Sequence, residues 1–147
     1  MPYFTYDTSV IISRRLFALP KMANNFRLSS VVLMELAASA SDDSERKAYE
    51  NLFQTYREDS ALIVPNEDDW LLASKVLYWL TQSRRRSSAG KLQRLERGVS
   101  QRMALDALIA VSARRCKVRV VTENWKDFKL IQRFCNVKIL RAPDFFK

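Results

Sequence analysis

The chain has 147 residues, enough for one hydrophobic core, so we expect a single domain over residues 1–147. Lys and Arg number 25 against 16 Asp and Glu, and the net charge of +9 favours a polyanionic partner, although it can also serve solubility alone. The absence of histidine excludes Ser-His-Asp and Cys-His catalysis. Carboxylates, lysines, hydroxyls or an oxygen-bound metal remain as catalytic groups.

Short strands and longer helices alternate along the sequence. In chain order we predict a strand at 3–7, helices at 8–19, 28–40 and 41–59, a strand at 61–65, helices at 66–82 and 102–115, a strand at 117–122, a helix at 124–134 and a strand at 137–140. Strands separated by helices predict an α/β fold, in which helices cover both faces of a mostly parallel sheet.

Two cysteines, Cys116 and Cys135, are expected to be reduced residues in or near the core. Two cysteines without a histidine also exclude the common zinc sites. The first residues do not resemble a signal peptide, and every apolar run is far shorter than the roughly 20 residues that cross a bilayer. We therefore expect a cytoplasmic protein that does not enter a membrane.

Glu35 is the single carboxylate within an apolar run at residues 31–38. This run predicts a helix that is buried nearly all round, with Ser29 or Ser30 as its N-cap. An ionised carboxylate in such a place is costly unless another group neutralises it. An arginine, a metal ion or a functional site would each provide that group.

Further polar residues are expected at the carboxyl ends of strands, where ligands bind in parallel sheets. Asp7 ends the first strand, and Thr122, Asn124 and Asp127 follow a later one. Asp106 is predicted near the start of its helix, where the helix dipole favours an ionised acid. Taken singly, each has a structural explanation as a cap or first-turn residue. Together, the acids favour one shared hard cation, and Mg²⁺ or Mn²⁺ suits oxygen ligands.

Four stretches, YDTSVII, LSSVVLMELAAS, DALIAVSAR and VVTENWKDF, resemble the motifs of PIN-domain ribonucleases, in particular the VapC-type toxins. They follow in that family's order and spacing, from Asp7 to about Phe128. The resemblance implies a three-layer α/β/α sandwich and a Mg²⁺- or Mn²⁺-dependent endoribonuclease that hydrolyses RNA phosphodiester bonds. It also implies an antitoxin protein as partner and a homodimer.

The resemblance further implies roles for individual residues. The metal ligands would be Asp7, Glu35 and Asp106, and the site would be completed, directly or through water, by Asn124 or Asp127. Hydroxyl groups would orient these ligands, from Thr8 or Ser9 and from Thr122. Glu123 departs from the family pattern because it adds a negative charge beside the cluster, and the segment before Asp106 is longer and more polar than usual.

Residues 82–100 form a polar, basic segment that contains both glycines of the chain. Its composition predicts a mobile loop or a loosely held helix. Basic residues in and just after this segment are candidates for contacts with the RNA backbone, and a solvated face or a protein-binding patch is the alternative. The candidates are Arg84, Arg85, Arg86, Lys91, Arg94, Arg97 and Arg102.

Two other functions are open to such a chain. A haloacid-dehalogenase-like phosphatase also begins with an aspartate at the end of its first strand, but it needs a second aspartate two residues later, and Ser9 occupies that position. A non-catalytic RNA-binding or protein-interaction module on the same fold is the alternative that remains. In that module basic side chains, rather than a metal ion, would neutralise Asp7, Glu35 and Asp106.

Overall fold

A computed structural model describes residues 2–17, 23–87 and 97–147, without the side chains of 84–87 and 97–100. The strands are β1 Tyr3–Tyr6, β2 Leu28–Ser29, β3 Leu62–Ile63, β4 Val118–Thr122 and β5 Ile139–Arg141. The helices are α1 Thr8–Ser13, α2 Ser30–Ala38, α3 Asp43–Glu58, α4 Glu67–Ser87, α5 Arg97–Arg115, α6 Trp125–Gln132 and α7 Ala142–Phe145.

The strands of the described residues all pair in parallel. β4 lies between β1 and β5, and β2 pairs with β3. A parallel bridge between Phe4 and Phe26 connects the two groups of strands. Parallel neighbours require a crossover connection, and helices supply these crossovers here. The predicted parallel sheet is confirmed.

Both faces of the central strand are buried. Val120 and Val121 point to opposite faces of β4, because side chains alternate along a strand, and each is 0% exposed. A sheet with two buried faces needs a helical layer on each side. The three-layer α/β/α architecture is therefore confirmed.

Helix α1 is shorter than predicted. Arg15 adopts a left-handed conformation with φ 52°, and the following Leu16 N–H donates to the Ile11 carbonyl at 3.0 Å. This hydrogen bond closes a Schellman motif, which ends the helix at Ser13. The predicted continuation of the helix is wrong as far as Phe17, and residues 18 and 19 lie outside the described part of the chain.

Helix α5 begins earlier than predicted, at Arg97. Asp106 therefore lies in the middle of the helix, far from its first turn. The predicted contribution of the helix dipole at Asp106 is wrong, because that field acts within the first or last turn only. Both ends of the basic segment are helical, through α4 up to Ser87 and α5 from Arg97, and residues 88–96 lie outside the described part.

The C-terminal segment forms a helix that the sequence pattern did not predict. Phe145 of α7 packs against Phe4 of β1, with 5.0 Å between the ring centroids, and Phe146 packs against Tyr6. These aromatic contacts hold the C-terminal residues against β1, the strand that Asp7 follows.

Among the described helices, none is long and apolar enough to cross a membrane.

Candidate metal-binding active site

Asp7 is a buried carboxylate at the end of β1, with 2% of its surface exposed. Its Oδ1 accepts hydrogen bonds from the Ser9 hydroxyl at 2.7 Å and from the Val10 backbone N–H at 3.2 Å. The second bond makes Asp7 the N-cap of α1, so the structural explanation of this residue is correct. Capping uses one oxygen and leaves Oδ2 for other contacts.

The other oxygen of Asp7 is held from the neighbouring strand. Thr122, fully buried at the end of β4, donates its hydroxyl to Asp7 Oδ2 at 2.6 Å. The Thr122 oxygen in turn accepts the Asn124 backbone N–H at 2.7 Å. Burial raises the pKa of Asp7, whereas these hydrogen bonds act to lower it. Three hydrogen-bond donors from α1 and β4 therefore fix the carboxylate, and none of them is a cation.

Glu35 extends from α2 toward the same strand ends. Its Oε1 accepts the Thr8 hydroxyl at 2.8 Å, across 27 residues of sequence. The helix is less buried than predicted, because Met34 is 53% exposed and Glu35 itself is half-buried. The expectation of burial nearly all round is therefore wrong, and one side of α2 is open. Burial still raises the pKa of Glu35, and the nearby Asp7 raises it further.

Asp106 lies where a negative charge is unfavourable. Its pKa is raised to about 7, first by burial and then by the charges of Asp7, Glu35 and Asp127. Its face of α5 is apolar: Ile109, Ala110 and Ala113 are all buried. Among the described residues, one hydrogen bond acts to lower this pKa: the Asn124 amide donates to Asp106 Oδ2 at 3.1 Å. Asp106 is thus a strained position for a negative charge.

Asn124 links two of the acids. Its Nδ2 donates to Asp106 Oδ2 and also to Asp127 Oδ2, at 3.0 Å. Both amide protons are used in this way, and among the described residues no donor reaches its Oδ1. Asn124 lines the pocket described next, whereas Asp127 does not. This placement favours Asn124 over Asp127 as the residue whose oxygen faces the shared space.

These side chains meet in one open pocket of about 410 Å³ at the carboxyl edge of β1 and β4. Its walls are formed by Asp7, Thr8, Ser9, Glu35, Arg102, Asp106, Glu123 and Asn124. Three carboxylates from β1, α2 and α5, which are up to 99 residues apart in sequence (106 − 7), therefore converge. The structure brings the predicted ligands together, and their role as ligands stays a prediction.

The extra acid Glu123 does not stand unpaired. Arg14, just after α1, donates from Nε to Glu123 Oε1 at 2.8 Å, and its guanidinium lies 4.5 Å from the centroid of the Phe146 ring. The Glu123 charge raises the pKa of Asp7 only as a minor contribution. Arg14 was not predicted as a site residue. It lay inside the predicted helix at 8–19, beside a second arginine, and this position gave no signal of a partner 109 residues away.

The described arginine side chains do not neutralise the three acids. Among the described side chains, no lysine or arginine forms an ion pair with Asp7, Glu35 or Asp106. Arg102 lies one helical turn before Asp106, is exposed and lines the pocket. The arginine alternative for Glu35 is therefore wrong for the part of the chain that the structure describes.

The donor set suits a hard cation, but it is not preassembled. The pocket offers carboxylate and amide oxygens and neither sulfur nor imidazole, which is the chemistry that Mg²⁺ and Mn²⁺ prefer. Within residues 2–17, 23–87 and 97–147, however, no three acidic or thiol groups lie close enough to hold a metal ion as they stand. The unneutralised carboxylates and the Asn124 Oδ1 atom, which accepts no hydrogen bond from a described donor, still match the ligand chemistry of a divalent cation.

The other basic candidates divide by position. Arg84, Arg85 and Arg86 belong to the last turns of α4 and Arg97 begins α5, but their side chains lie outside the described part. Lys91 and Arg94 lie outside the described residues altogether. Arg102 alone among the seven is a described side chain at the acidic pocket. The predicted RNA contacts of the other six stay predictions.

Comparison with known proteins identifies the fold. No family model and no curated protein matches the sequence. Among solved structures, the chain resembles one from VapBC-5 of Mycobacterium tuberculosis, a member of the VapBC family of toxin-antitoxin systems, over 96% of its own length and 99% of that chain, with a TM-score of 0.58 and 19% identity. VapBC-1 of nontypeable Haemophilus influenzae gives 96% and 98% coverage, a TM-score of 0.57 and 18% identity.

A third similar structure is VapBC2 of Rickettsia felis, bound to a DNA fragment from the promoter. The match covers 95% of this chain and 98% of that chain, with a TM-score of 0.56 and 18% identity. Likeness at this level of identity establishes the fold. The chain therefore has the α/β, PIN-like fold of these toxin-antitoxin structures, and the resemblance drawn from the four sequence motifs is confirmed for the fold.

Proposed function

We propose that the chain is a Mg²⁺- or Mn²⁺-dependent endoribonuclease, which acts in the cytoplasm as the toxin of a toxin-antitoxin pair. The observation that carries the proposal is the convergence of Asp7, Glu35 and Asp106 in one pocket, with no ion pair to a described basic side chain. Three acids that repel one another destabilise a folded protein, and such groups are typical of functional sites. A divalent cation offsets that repulsion.

The hydrogen bonds of the pocket support this assignment. Thr8 donates its hydroxyl to Glu35, and Ser9 and Thr122 donate theirs to Asp7, which holds these two carboxylates without neutralising their charges. Such donors keep an anion ready for a metal, whereas an arginine would compete with the metal for it. We assign the ligand role to Asp7, Glu35 and Asp106, and the completing oxygen to Asn124, which Asp127 orients.

The proposed reaction is hydrolysis of an RNA phosphodiester bond by water. A bound Mg²⁺ or Mn²⁺ supplies water activation and stabilises charge on the phosphoryl oxygens, so histidine is not required. The chain's own side chains would orient the substrate. Arg102, exposed at the pocket wall, can contact a backbone phosphate, and the surplus of positive charge draws RNA toward the protein.

The direct test is incubation of the purified chain with total RNA and MnCl₂. We expect discrete cleavage that EDTA abolishes and that falls at least about 100-fold in Glu35→Gln, since this change removes a charged ligand and leaves the cap of α1 intact. Asp144→Asn, at an exposed acid of α7, is the matched control and should cleave as wild type does. Equal cleavage by Glu35→Gln and wild type, or cleavage in EDTA, would contradict the proposal.

A second candidate is a non-catalytic RNA-binding or protein-interaction module on the same fold. It is favoured by the absence of three metal-ready acidic groups among the described residues. Thermal unfolding with and without MnCl₂ separates the two functions, because a ligand that binds only the native state raises Tm. The nuclease predicts a rise in wild type that is lost in Asp106→Asn. No shift in either protein would support the module.

The proposed partners follow from the resemblance and from the similar structures, which are toxin-antitoxin complexes. We propose an antitoxin protein that covers the acidic pocket, and a homodimer of this chain. Light scattering of the isolated chain at micromolar concentration tests the second part. A mass near 34 kDa, twice the 17.1 kDa of the chain, is expected, and a monomer would contradict the dimer.

A further inference from the structure

A second cleft of the molecule is as basic as the first pocket is acidic. This basic cleft, of about 260 Å³, is lined by Arg114, Lys117, Val118, Arg119, Asn136 and Lys138. It lies where α5 ends, β4 begins and the chain turns from α6 into β5. Four positive charges face one small volume, and its lining contains no aspartate or glutamate.

The four cations are unneutralised within the described part of the chain. None of them appears in an ion pair, and none donates a side-chain hydrogen bond to a described acceptor. The neighbouring Arg115, by contrast, is paired with Asp69 at 2.8 Å and points to the α4 side. Moreover, the Nε of Arg119 is buried and has no acceptor among the described residues. A buried donor without an acceptor is costly, so Arg119 is not placed here to satisfy a hydrogen bond within the described part of the chain.

Helix geometry explains only part of this arrangement. Cations near a helix C-terminus interact favourably with its dipole, and this effect accounts for Arg114 and Lys117 at the end of α5. It does not account for Arg119, inside β4, or for Lys138, just before β5. Lys117 also adopts φ 57°, a left-handed conformation that favours glycine. A long basic residue thus occupies a position where glycine would fit at lower conformational cost.

We propose that the basic cleft binds a phosphate group. Converging guanidinium and ammonium groups match the charge and the acceptor oxygens of phosphate, and the exposed Asn136 side chain adds a directional donor. The cleft holds a group of that size but is too small for a folded partner. Two sources share this chemistry, the backbone of an RNA strand and a free phosphate-bearing small molecule.

The basic cleft is separate from the acidic pocket. β4 begins at Val118 in the cleft and ends at Thr122 beside Asp7, and four residue steps of about 3.3 Å place the two sites about 13 Å apart along the strand. The sites therefore lie at opposite edges of the sheet. The proposal does not rest on the ribonuclease activity, because binding at the cleft is measured with the divalent ions removed.

The test uses the full chain in EDTA, with inorganic phosphate as the first probe and amide NMR shifts as the readout. Saturable shifts are expected at Lys117, Arg119 and Lys138 and not at Asp7. Lys138→Gln should weaken phosphate binding at least about 5-fold. Lys75→Gln, an exposed lysine on α4 with the same charge change, is the matched control. Because Lys138 is exposed, its substitution does not threaten folding; Arg119→Gln provides a second variant at the buried donor.

A fluorescent single-stranded RNA distinguishes the source. If the RNA backbone occupies the cleft, Lys138→Gln weakens RNA binding more than Lys75→Gln does, and lowers the slope of log affinity against log salt by about 0.7 for the lost contact. Phosphate binding without this difference would assign the cleft to a free phosphate-bearing molecule. The proposal would be overturned if phosphate caused no amide shifts, or if Lys138→Gln and Lys75→Gln weakened phosphate binding equally. Binding of a polyglutamate peptide in the cleft without binding of phosphate would also overturn it.

Discussion

Individual side chains of the acidic pocket are held by hydrogen bonds that do not cancel their charges. Asp7 accepts from two hydroxyls and one backbone amide, yet burial still raises its pKa. Asp106 has fewer donors and more acidic neighbours, and its pKa rises to about 7. The pocket is therefore locally unfavourable in the metal-free protein, which is the usual condition of a functional site.

This strain predicts a pH dependence of stability for the metal-free protein. The pKa of Asp106 is about 7 when folded and near 3.8 when unfolded, so between those values the native state binds more protons and stability falls as pH rises. Asp106→Asn removes the charge and keeps an acceptor for Asn124. In EDTA we expect it to raise Tm by at least about 3 °C at pH 8, and by much less at pH 4.5.

Thermal melts of both proteins across this pH range provide the measurement. Asp144→Asn, an exposed acid on α7, is the control and should follow wild type at every pH. A stabilisation by Asp106→Asn that is the same at pH 4.5 and pH 8 would contradict the electrostatic origin.

A second residue-scale prediction concerns Arg14. This guanidinium neutralises Glu123, whose charge otherwise acts on Asp7. Arg14→Gln should raise the Asp7 pKa further, because the Glu123 charge, which already raises it, is then no longer offset by a guanidinium. Carbon-13 NMR titration of the Asp7 carboxyl measures the change.

The double variant Arg14→Gln, Glu123→Gln is the critical comparison. Without the glutamate there is no charge left to neutralise, so the Asp7 pKa should return to or below the wild-type value. Arg46→Gln, which removes an exposed ion-pair partner on α3, should leave it unchanged. A double variant that behaves like Arg14→Gln alone would refute the coupling.

The convergence of Asp7, Glu35, Asp106 and Asn124 could be predicted from the sequence because strand ends and misplaced acids leave local signals. Arg14 and the basic cleft could not be predicted, since they depend on contacts between distant parts of the chain. Arg14 meets Glu123 across 109 residues. The basic cleft brings Arg119 close to Lys138. The sequence pattern placed these residues on two different strands but did not show how those strands pair.

Among the structural elements, the helix ends show how a chain with two glycines terminates its helices. Arg15, Ser60 and Lys117 each take positive φ, at 52°, 55° and 57°. After Ser60, the Ala61 N–H donates to the Tyr56 carbonyl at 2.8 Å, which completes a Schellman motif. Non-glycine residues pay a conformational penalty there, so these ends are points of strain.

This pattern predicts that Ser60→Gly stabilises the protein. Glycine enters the left-handed region freely but loses more entropy on folding, so the net gain should be about 0.5–1 kcal/mol. We expect Tm to rise by about 2–4 °C. Ser44→Gly, inside the first turns of α3, should lower it. A destabilising Ser60→Gly would show that the αL strain is not the dominant energy there.

The sequence predicted elements with strong periodicity and missed those fixed by tertiary contacts. Helix α3 and strand β4 lie within one or two residues of their predicted bounds. The early end of α1 depends on one left-handed residue, and the start of α5 on a segment whose polar composition resembles a loop. Strand β2, of two residues, and α7, held by aromatic packing, carry too little local pattern to be recognised.

On the scale of the whole molecule, charge is segregated across the sheet. Carboxylates gather at the C-terminal edge of β1 and β4, and basic side chains gather at the N-terminal edge of β4 and β5. The net charge of +9 therefore leaves a strongly acidic pocket in a basic protein. This separation suits a protein that holds a cation at one edge and phosphate groups elsewhere on its surface.

The proposed function depends most on the joint binding of one divalent ion by Asp7, Glu35 and Asp106. Anomalous diffraction from crystals soaked in MnCl₂ tests it directly. We predict one strong manganese peak in the acidic pocket, with oxygens of these three residues as ligands and with no such peak in crystals of Glu35→Gln. A pocket without manganese, or acids that each contact a separate arginine, would contradict the account.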